Sequence, residues 1–114
     1  MPHTLMREAF ERDLNGQRTE LHTLRGPGGM QAVVSTHGAR LVQIAVPDAN
    51  GQLVAVALGY DSLDGYLHGQ QSMGAIIGRW AGRLRSGRLT LPDGEVLQLP
   101  TNSGPHHHHG GPRG

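Results

Sequence analysis

Four consecutive histidines, His106–His109, lie between Pro105 and the pair Gly110-Gly111. Imidazole ordinarily titrates near neutral pH, so it can donate, accept or carry a proton under physiological conditions. Upstream, Arg79 and Arg83 bracket Trp80 in Gly78-Arg79-Trp80-Ala81-Gly82-Arg83. A guanidinium is a rigid five-donor fork that can bridge neighbouring oxygens, and an indole offers a flat apolar face. These residue types suit the holding of an oxygen-rich ligand. They also admit a metal site: in extended chain His106 and His108 share one side, and His107 and His109 the other. Against a resident metal stand the absence of cysteine and of any carboxylate at ligand spacing such as His-Glu-x-x-His. No metal is therefore expected beyond adventitious nickel or zinc. The run is short for a purification tag, and it continues into Gly-Gly-Pro-Arg-Gly, which reads as loop. By residue type alone, His106, His107 and His108 read as solvated loop histidines, Trp80 as packing, and Arg40, Arg85 and Arg88 as surface groups. His37 and Tyr60 read as structural.

The elements that must position these groups are short strands. Residues 1–19 are polar and weakly patterned; a short helix over Met6–Leu14 competes with the turn signal Asn15-Gly16. Strands are predicted over Glu20–Leu24 and Met30–Ser35, joined by Arg25-Gly26-Pro27-Gly28-Gly29. Leu41–Val46 is rich in β-branched residues, and alternation places Val42, Ile44 and Val46 on one face. Asn50-Gly51 predicts a tight hairpin with positive φ at both central residues, returning through Leu53–Leu58. Gly59–Tyr66 reads as a loop with one helical turn capped by Asp61 or Ser62. Met73–Ile77 reads as a short apolar strand, and Arg88–Leu91 and Glu95–Leu99 as a hairpin around Pro92-Asp93-Gly94. About seven strands at intervals of roughly ten residues predict an all-β, antiparallel sandwich with the Leu41–Leu58 hairpin at its centre.

A chain of 114 residues bounds the answer at one domain with a modest core. Aromatics are 4%, so large anchors are few, and Gly 18 and Pro 7 suit frequent turns. A formal net charge of +1 argues against nucleic acid or an anionic membrane as partner. Without cysteine there is no disulfide or thiolate chemistry. The first ten residues lack an apolar core of signal-peptide length, and no stretch is apolar enough to span a bilayer; a soluble cytoplasmic protein is expected.

Four segments carry a resemblance. Gly38-Ala39-Arg40-Leu41 leads to Val46-Pro47-Asp48 and Gly51. Leu58-Gly59-Tyr60-Asp61-Ser62-Leu63-Asp64-Gly65-Tyr66 follows. Then come Gly74-Ala75-Ile76-Ile77-Gly78-Arg79-Trp80-Ala81-Gly82-Arg83-Leu84 and Asn102-x-x-Pro105 running into His109-Gly110-Gly111. In this order and spacing, from about Glu20 onward, they resemble the aldose 1-epimerase (galactose mutarotase) family. The resemblance implies the N-terminal part of a galactose-mutarotase-like β-supersandwich, occupying 1–114 with 1–19 as a weakly structured lead-in. It implies an isomerase that interconverts the α and β anomers of free hexoses such as galactose and glucose, with a small aldose as partner and no cofactor. Gly82, Arg83 and His109 are the implied substrate contacts, with Arg79 making structural bonds beneath the site. Gly82 stands where the family has asparagine, and His108 where it has leucine. The implied general acid (a histidine) and general base (a glutamate) are expected beyond Gly114, so no catalytic residue is assigned here.

Two other readings remain open. One is a non-catalytic sugar-binding member of the same fold, consistent with Gly82. The other is a small histidine-rich metal-binding β domain. Oligomeric state has no signal in the sequence.

Overall fold

In a computed structural model the chain is described over residues 2–69 and 72–114, and it divides into two compact units, Met1–Ile76 and Ile77–Gly114. Every strand pair among the described residues is antiparallel, and the fold class is all-β as predicted.

The first unit is built on a four-stranded sheet of β3 (Leu21–Arg25), β4 (Gln31–Ser35), β5 (Arg40–Pro47) and β6 (Leu53–Ala55), in that order. Before it, β1 (Asp13–Leu14) and β2 (Gln17–Arg18) form a small hairpin around Asn15-Gly16. Strands β4 and β5 are therefore central, and the β5–β6 hairpin lies to one side rather than at the centre. The β5–β6 turn also differs from the tight form expected. Only Gly51 takes positive φ (77°), while the Asp48 carboxylate accepts the N–H groups of Asn50 and Gln52, both at 2.8 Å. That side-chain cap lets a longer loop close with a single left-handed residue.

One face of this sheet is buried under the segments flanking it. Phe10 (0% exposed), Leu21, Val33, Val42, Leu63 and Tyr66 form the core, with Leu5, Ala9, Tyr60 and Leu67 packed against it. The segment 1–19, read as a weakly structured lead-in, thus supplies one of the best-buried residues. A 3-10 turn at Arg7–Ala9 brings Phe10 to 6.2 Å from the Tyr66 ring. Thr19 holds it there by donating to the Phe10 carbonyl at 2.6 Å. The alternation expected in β5 breaks as well. Val33 pairs with Gln43 but Val34 with Leu41, so Val42 is an extra residue in a bulge. The bulge shifts the inward parity, so Val42 and Ala45 are the buried pair instead of Val42, Ile44 and Val46. The face expected to unite Val54, Val56 and Leu58 is uncovered here: they are 44%, 59% and 84% exposed.

Helix α1 (Leu63–His68) is longer than the single turn expected and is capped by Ser62, whose hydroxyl accepts from Gly65 N–H at 3.3 Å. Its Tyr66 hydroxyl accepts the Tyr60 N–H at 3.0 Å, and Tyr60 meets Tyr66 edge-on at 5.1 Å. The predicted strand Met73–Ile77 does not form. Gly74 turns at φ 64° and accepts the Leu41 N–H at 2.8 Å, and a side chain there would collide with the Leu41 carbonyl. Left-handed backbone at that point interrupts any extended run.

The second unit contains β7 (Arg83–Leu84), β8 (Arg88–Thr90), β9 (Val96–Gln98) and β10 (His107–His108). Strands β8 and β9 form the expected hairpin, closed by Gly94 N–H on the Leu91 carbonyl at 2.9 Å. The pairing of β7 with β10 was not foreseen. No helix among the described residues is long and apolar enough to cross a membrane.

Candidate functional site

The β7–β10 ladder gives the histidine run its geometry. Arg83 pairs with His108 and Leu84 with His107. Directly opposed residues of an antiparallel pair project from the same face, so Arg83 and His108 lie on one side and His107 on the other. His109 follows at φ 49°, a left-handed turn that lays its ring against that of His108 at 3.8 Å between centroids. Beyond it, Gly82 and His109 are joined twice: His109 N–H donates to the Gly82 carbonyl, and Gly82 N–H donates to His109 Nδ1, both at 3.0 Å. A backbone N–H can only donate. Nδ1 is therefore the bare nitrogen of the neutral ring, and Nε2 carries the proton. His109 is held as a hydrogen-bond donor at Nε2.

The predicted contacts Gly82, Arg83 and His109 are thus brought together by one short ladder. The Arg83 side chain is anchored by its Nε, which donates to Ser103 Oγ at 3.2 Å. Gly82 takes φ 80°, and a Cβ there would meet nothing within 4 Å. The missing asparagine side chain therefore leaves open space. Arg79 is exposed and makes no side-chain hydrogen bond among the described residues, so the structural role expected for it is not found. Trp80 is half-buried, and its Nε1 is buried without a partner among the described residues.

The reading of His106, His107 and His108 as solvated loop residues needs correction. His107 is 5% exposed and its Nδ1 donates to the Pro100 carbonyl at 2.6 Å. Gly111, at φ 81°, lies so close that a Cβ would stand 2.7 Å from the His107 ring, which accounts for a glycine at this position. His106 Nδ1 accepts the Ser86 N–H at 3.1 Å. His108 is half-buried, and its pKa is held below the ordinary value by desolvation, then by the neighbouring His109 and Arg83 charges.

Asn102, which begins the Asn-x-x-Pro pattern, is a further residue that shapes the site. Its amide grips the backbone of His108 from outside the ladder: His108 N–H donates to Oδ1 at 2.7 Å, and Nδ2 donates to the His108 carbonyl at 2.9 Å. The side chain acts as a third strand one residue long. The signal that could have found it is the fixed distance from asparagine to the histidines across a proline turn.

No group of three or more His, Cys, Asp or Glu is placed to hold a metal among the described residues. Three of the four imidazoles already spend Nδ1 on the backbone. Elsewhere, a cavity of about 210 Å³ in the first unit lies between the segment Pro2–Leu5 and sheet residues such as Thr23, Gln31 and Gln43; Gly82, Arg83 and His109 do not line it.

A family model described as Aldose 1-epimerase matches residues 20–114. The chain is 42% identical to the galactose mutarotase of Bos taurus over 77 residues, 68% of this chain and 22% of that protein. It is 36% identical to the aldose 1-epimerase of Escherichia coli K12 over 100 residues, 88% of this chain and 29% of that protein. Among solved structures, the GalM/aldose epimerase homologue from C. elegans superposes with a TM-score of 0.73 at 32% identity, covering 82% of this chain and 29% of that one. Galactose 1-epimerase from Lactobacillus acidophilus gives 0.71 at 30% identity, covering 88% and 28%. The chain therefore spans less than a third of the length of these relatives.

Proposed function

Because the chain belongs to the aldose 1-epimerase family, we propose that the face carrying Arg83 and His109 holds a free aldose, galactose or glucose, for interconversion of its α and β anomers. The observation that supports this most directly is the Gly82–His109 double hydrogen bond, which fixes the imidazole as an Nε2–H donor next along the ladder from the anchored Arg83 side chain. Two oriented donors on one face suit the vicinal oxygens of a pyranose, and orientation of this kind supplies much of an enzyme's rate.

Interconversion requires a base to take the proton from the anomeric hydroxyl and an acid to protonate the ring oxygen as the C1–O5 bond breaks. Rotation about C1–C2 and the reverse transfers close the other anomer. Both reacting oxygens belong to the sugar, so proton transfer alone balances the reaction, and two titratable groups suffice. His109 contributes a donor but, with Nδ1 occupied, no free basic nitrogen in its neutral form. The side-chain carboxylates of residues 77–114 are Asp93 and Glu95, and both belong to the β8–β9 turn, where Asp93 accepts the Glu95 N–H at 3.0 Å. In the first unit, Asp64 is paired with Arg12 at 2.7 Å and Asp61 lies 3.7 Å from His3. On this reading the chain binds and orients sugar, residues 77–114 supply no acid–base pair beside Arg83 and His109, and the chain by itself is a sugar-binding piece rather than a catalyst. Polarimetry on fresh α-D-galactose tests this. The decay should match buffer; acceleration well above buffer that disappears in His109→Ala would place the catalytic pair within these residues and overturn the proposal.

A further inference from the structure

The unusual feature of the β7–β10 ladder is what stands opposite what. Arg83, a permanent cation, is paired across the strands with His108, a potential one, and His109 stacks on His108 from the next position. Like charges directly opposed in a sheet destabilise it. No salt bridge among the described residues compensates. All four ion pairs among the described residues fall within residues 3–64. Residues 77–114 carry five arginines against Asp93 and Glu95, the two carboxylates of the β8–β9 turn. The Arg83 Nε is satisfied by a neutral hydroxyl, that of Ser103, which leaves its terminal nitrogens without a carboxylate. Beside this cation and its cation-capable partner, Gly82 leaves open space where a Cβ would meet no atom within 4 Å. A ladder that opposes two cation-capable groups, lacks a counter-charge and has room alongside is a place for an anion.

We propose that the Arg83–His108–His109 face prefers an aldose that carries an anionic group, a carboxylate or a phosphate, over a neutral aldose. The proposal rests on the reading of this face as an aldose site and names the class of sugar. The ring is held by the donors already described. The anionic substituent lies toward Gly82 and takes charge-assisted hydrogen bonds from the Arg83 terminal nitrogens and from His108. Hydrogen bonds of that kind are roughly twice as strong as neutral ones and fix orientation as well as affinity. His108 holds its proton weakly in the unliganded chain, because desolvation, His109 and Arg83 all oppose the imidazolium. A bound anion opposes that penalty, so binding takes up a proton and tightens as pH falls. His109 and Arg83 are the charged or titratable groups against His108, and both act in this direction.

The test is a set of ¹H–¹⁵N titrations of this 114-residue chain with galactose, galacturonate, galactose 6-phosphate and inorganic phosphate, at about pH 6 and about pH 8, either side of the ordinary imidazole value. The expected result is that one or both anionic sugars bind about ten- to a hundred-fold tighter than galactose, the range that a hydrogen bond to a charged group spans. The gap should be wider at the lower pH. Whichever of galacturonate and the phosphate ester binds tighter identifies the source of the charge. In His108→Leu the ratio should fall toward one, with the amide spectrum reporting that the ladder is intact. Equal affinity for galactose and both anions overturns the proposal and leaves the aldose reading standing. Inorganic phosphate binding as tightly as either anionic sugar overturns it in favour of a bare ion site. Binding of no sugar at all overturns both readings.

Discussion

Removing the Asn102 amide is the perturbation with the most to say about how the site is held. Asn102→Ala deletes two hydrogen bonds to the His108 backbone, of 2.7 and 2.9 Å, and touches nothing else that the side chain contacts by hydrogen bonding. An intramolecular hydrogen bond is worth about 0.5–1.5 kcal/mol net, and both of these lie at exposed positions where water can replace part of the loss. The lower part of the range applies, giving about 1–2 kcal/mol for the pair. At about 1.4 kcal/mol per factor of ten, the opening equilibrium of the β7–β10 ladder should rise roughly 5- to 30-fold. The assay is amide hydrogen exchange at His109, whose N–H donates across the ladder to the Gly82 carbonyl, with exchange at the β4–β5 amides as an internal standard. Asn102→Asp keeps an acceptor for the His108 N–H and loses the donor to its carbonyl, so it should give about half of the free-energy change. Because His109 follows His108 directly, its Nδ1 bond to Gly82 should weaken in step, visible in its imidazole nitrogen shifts. Exchange in Asn102→Ala equal to that of the parent would refute the claim that this side chain serves as a third strand.

Two further outcomes follow from the same geometry. Phe10→Ala should destabilise the first unit by about 3–5 kcal/mol, since a fully buried aromatic (0% exposed) leaves a cavity against Tyr66; urea unfolding with unchanged slope measures it. His108 should titrate below the ordinary value of 6.5, and its contribution to stability should be full above that value and be lost as pH falls from there through the lower folded pKa. An imidazole titration curve for His108 with its midpoint at or above 6.5 would contradict this.

What was legible in the sequence was whatever a local pattern could state. The strands β3, β4, β5 and the β8–β9 hairpin are apolar runs bounded by Gly, Pro and Asp, and all of them formed. The adjacency of Gly82, Arg83 and His109 was reached only through the spacing of whole motifs, because β7 and β10 have two residues each and two residues show no period. Phe10 was invisible for the opposite reason. It is a single apolar residue in a polar stretch, and its burial depends on Leu21, Val33 and Tyr66 arriving from elsewhere. The bulge at Val42 adds one residue to one strand, which no alternation rule registers, yet it decides which side chains of β5 face inward. His107 is polar by type and buried in fact, because one carbonyl at Pro100 and the bare Cα of Gly111 complete its surroundings. In each case the missing information is a long-range partner, whereas the turns were settled by residues within four positions.

The central claim, that the Arg83–His109 face holds an aldose, is tested most directly by titrating galactose into ¹⁵N-labelled chain and following every amide together with the His109 ring nitrogens. The account predicts saturable shifts centred on Gly82, Arg83, His109 and Gly110, with His109 remaining protonated at Nε2 as its hydrogen bond to sugar oxygen forms. Saturable shifts confined to the cavity beneath Pro2–Leu5, or none anywhere up to the solubility of the sugar, would contradict it.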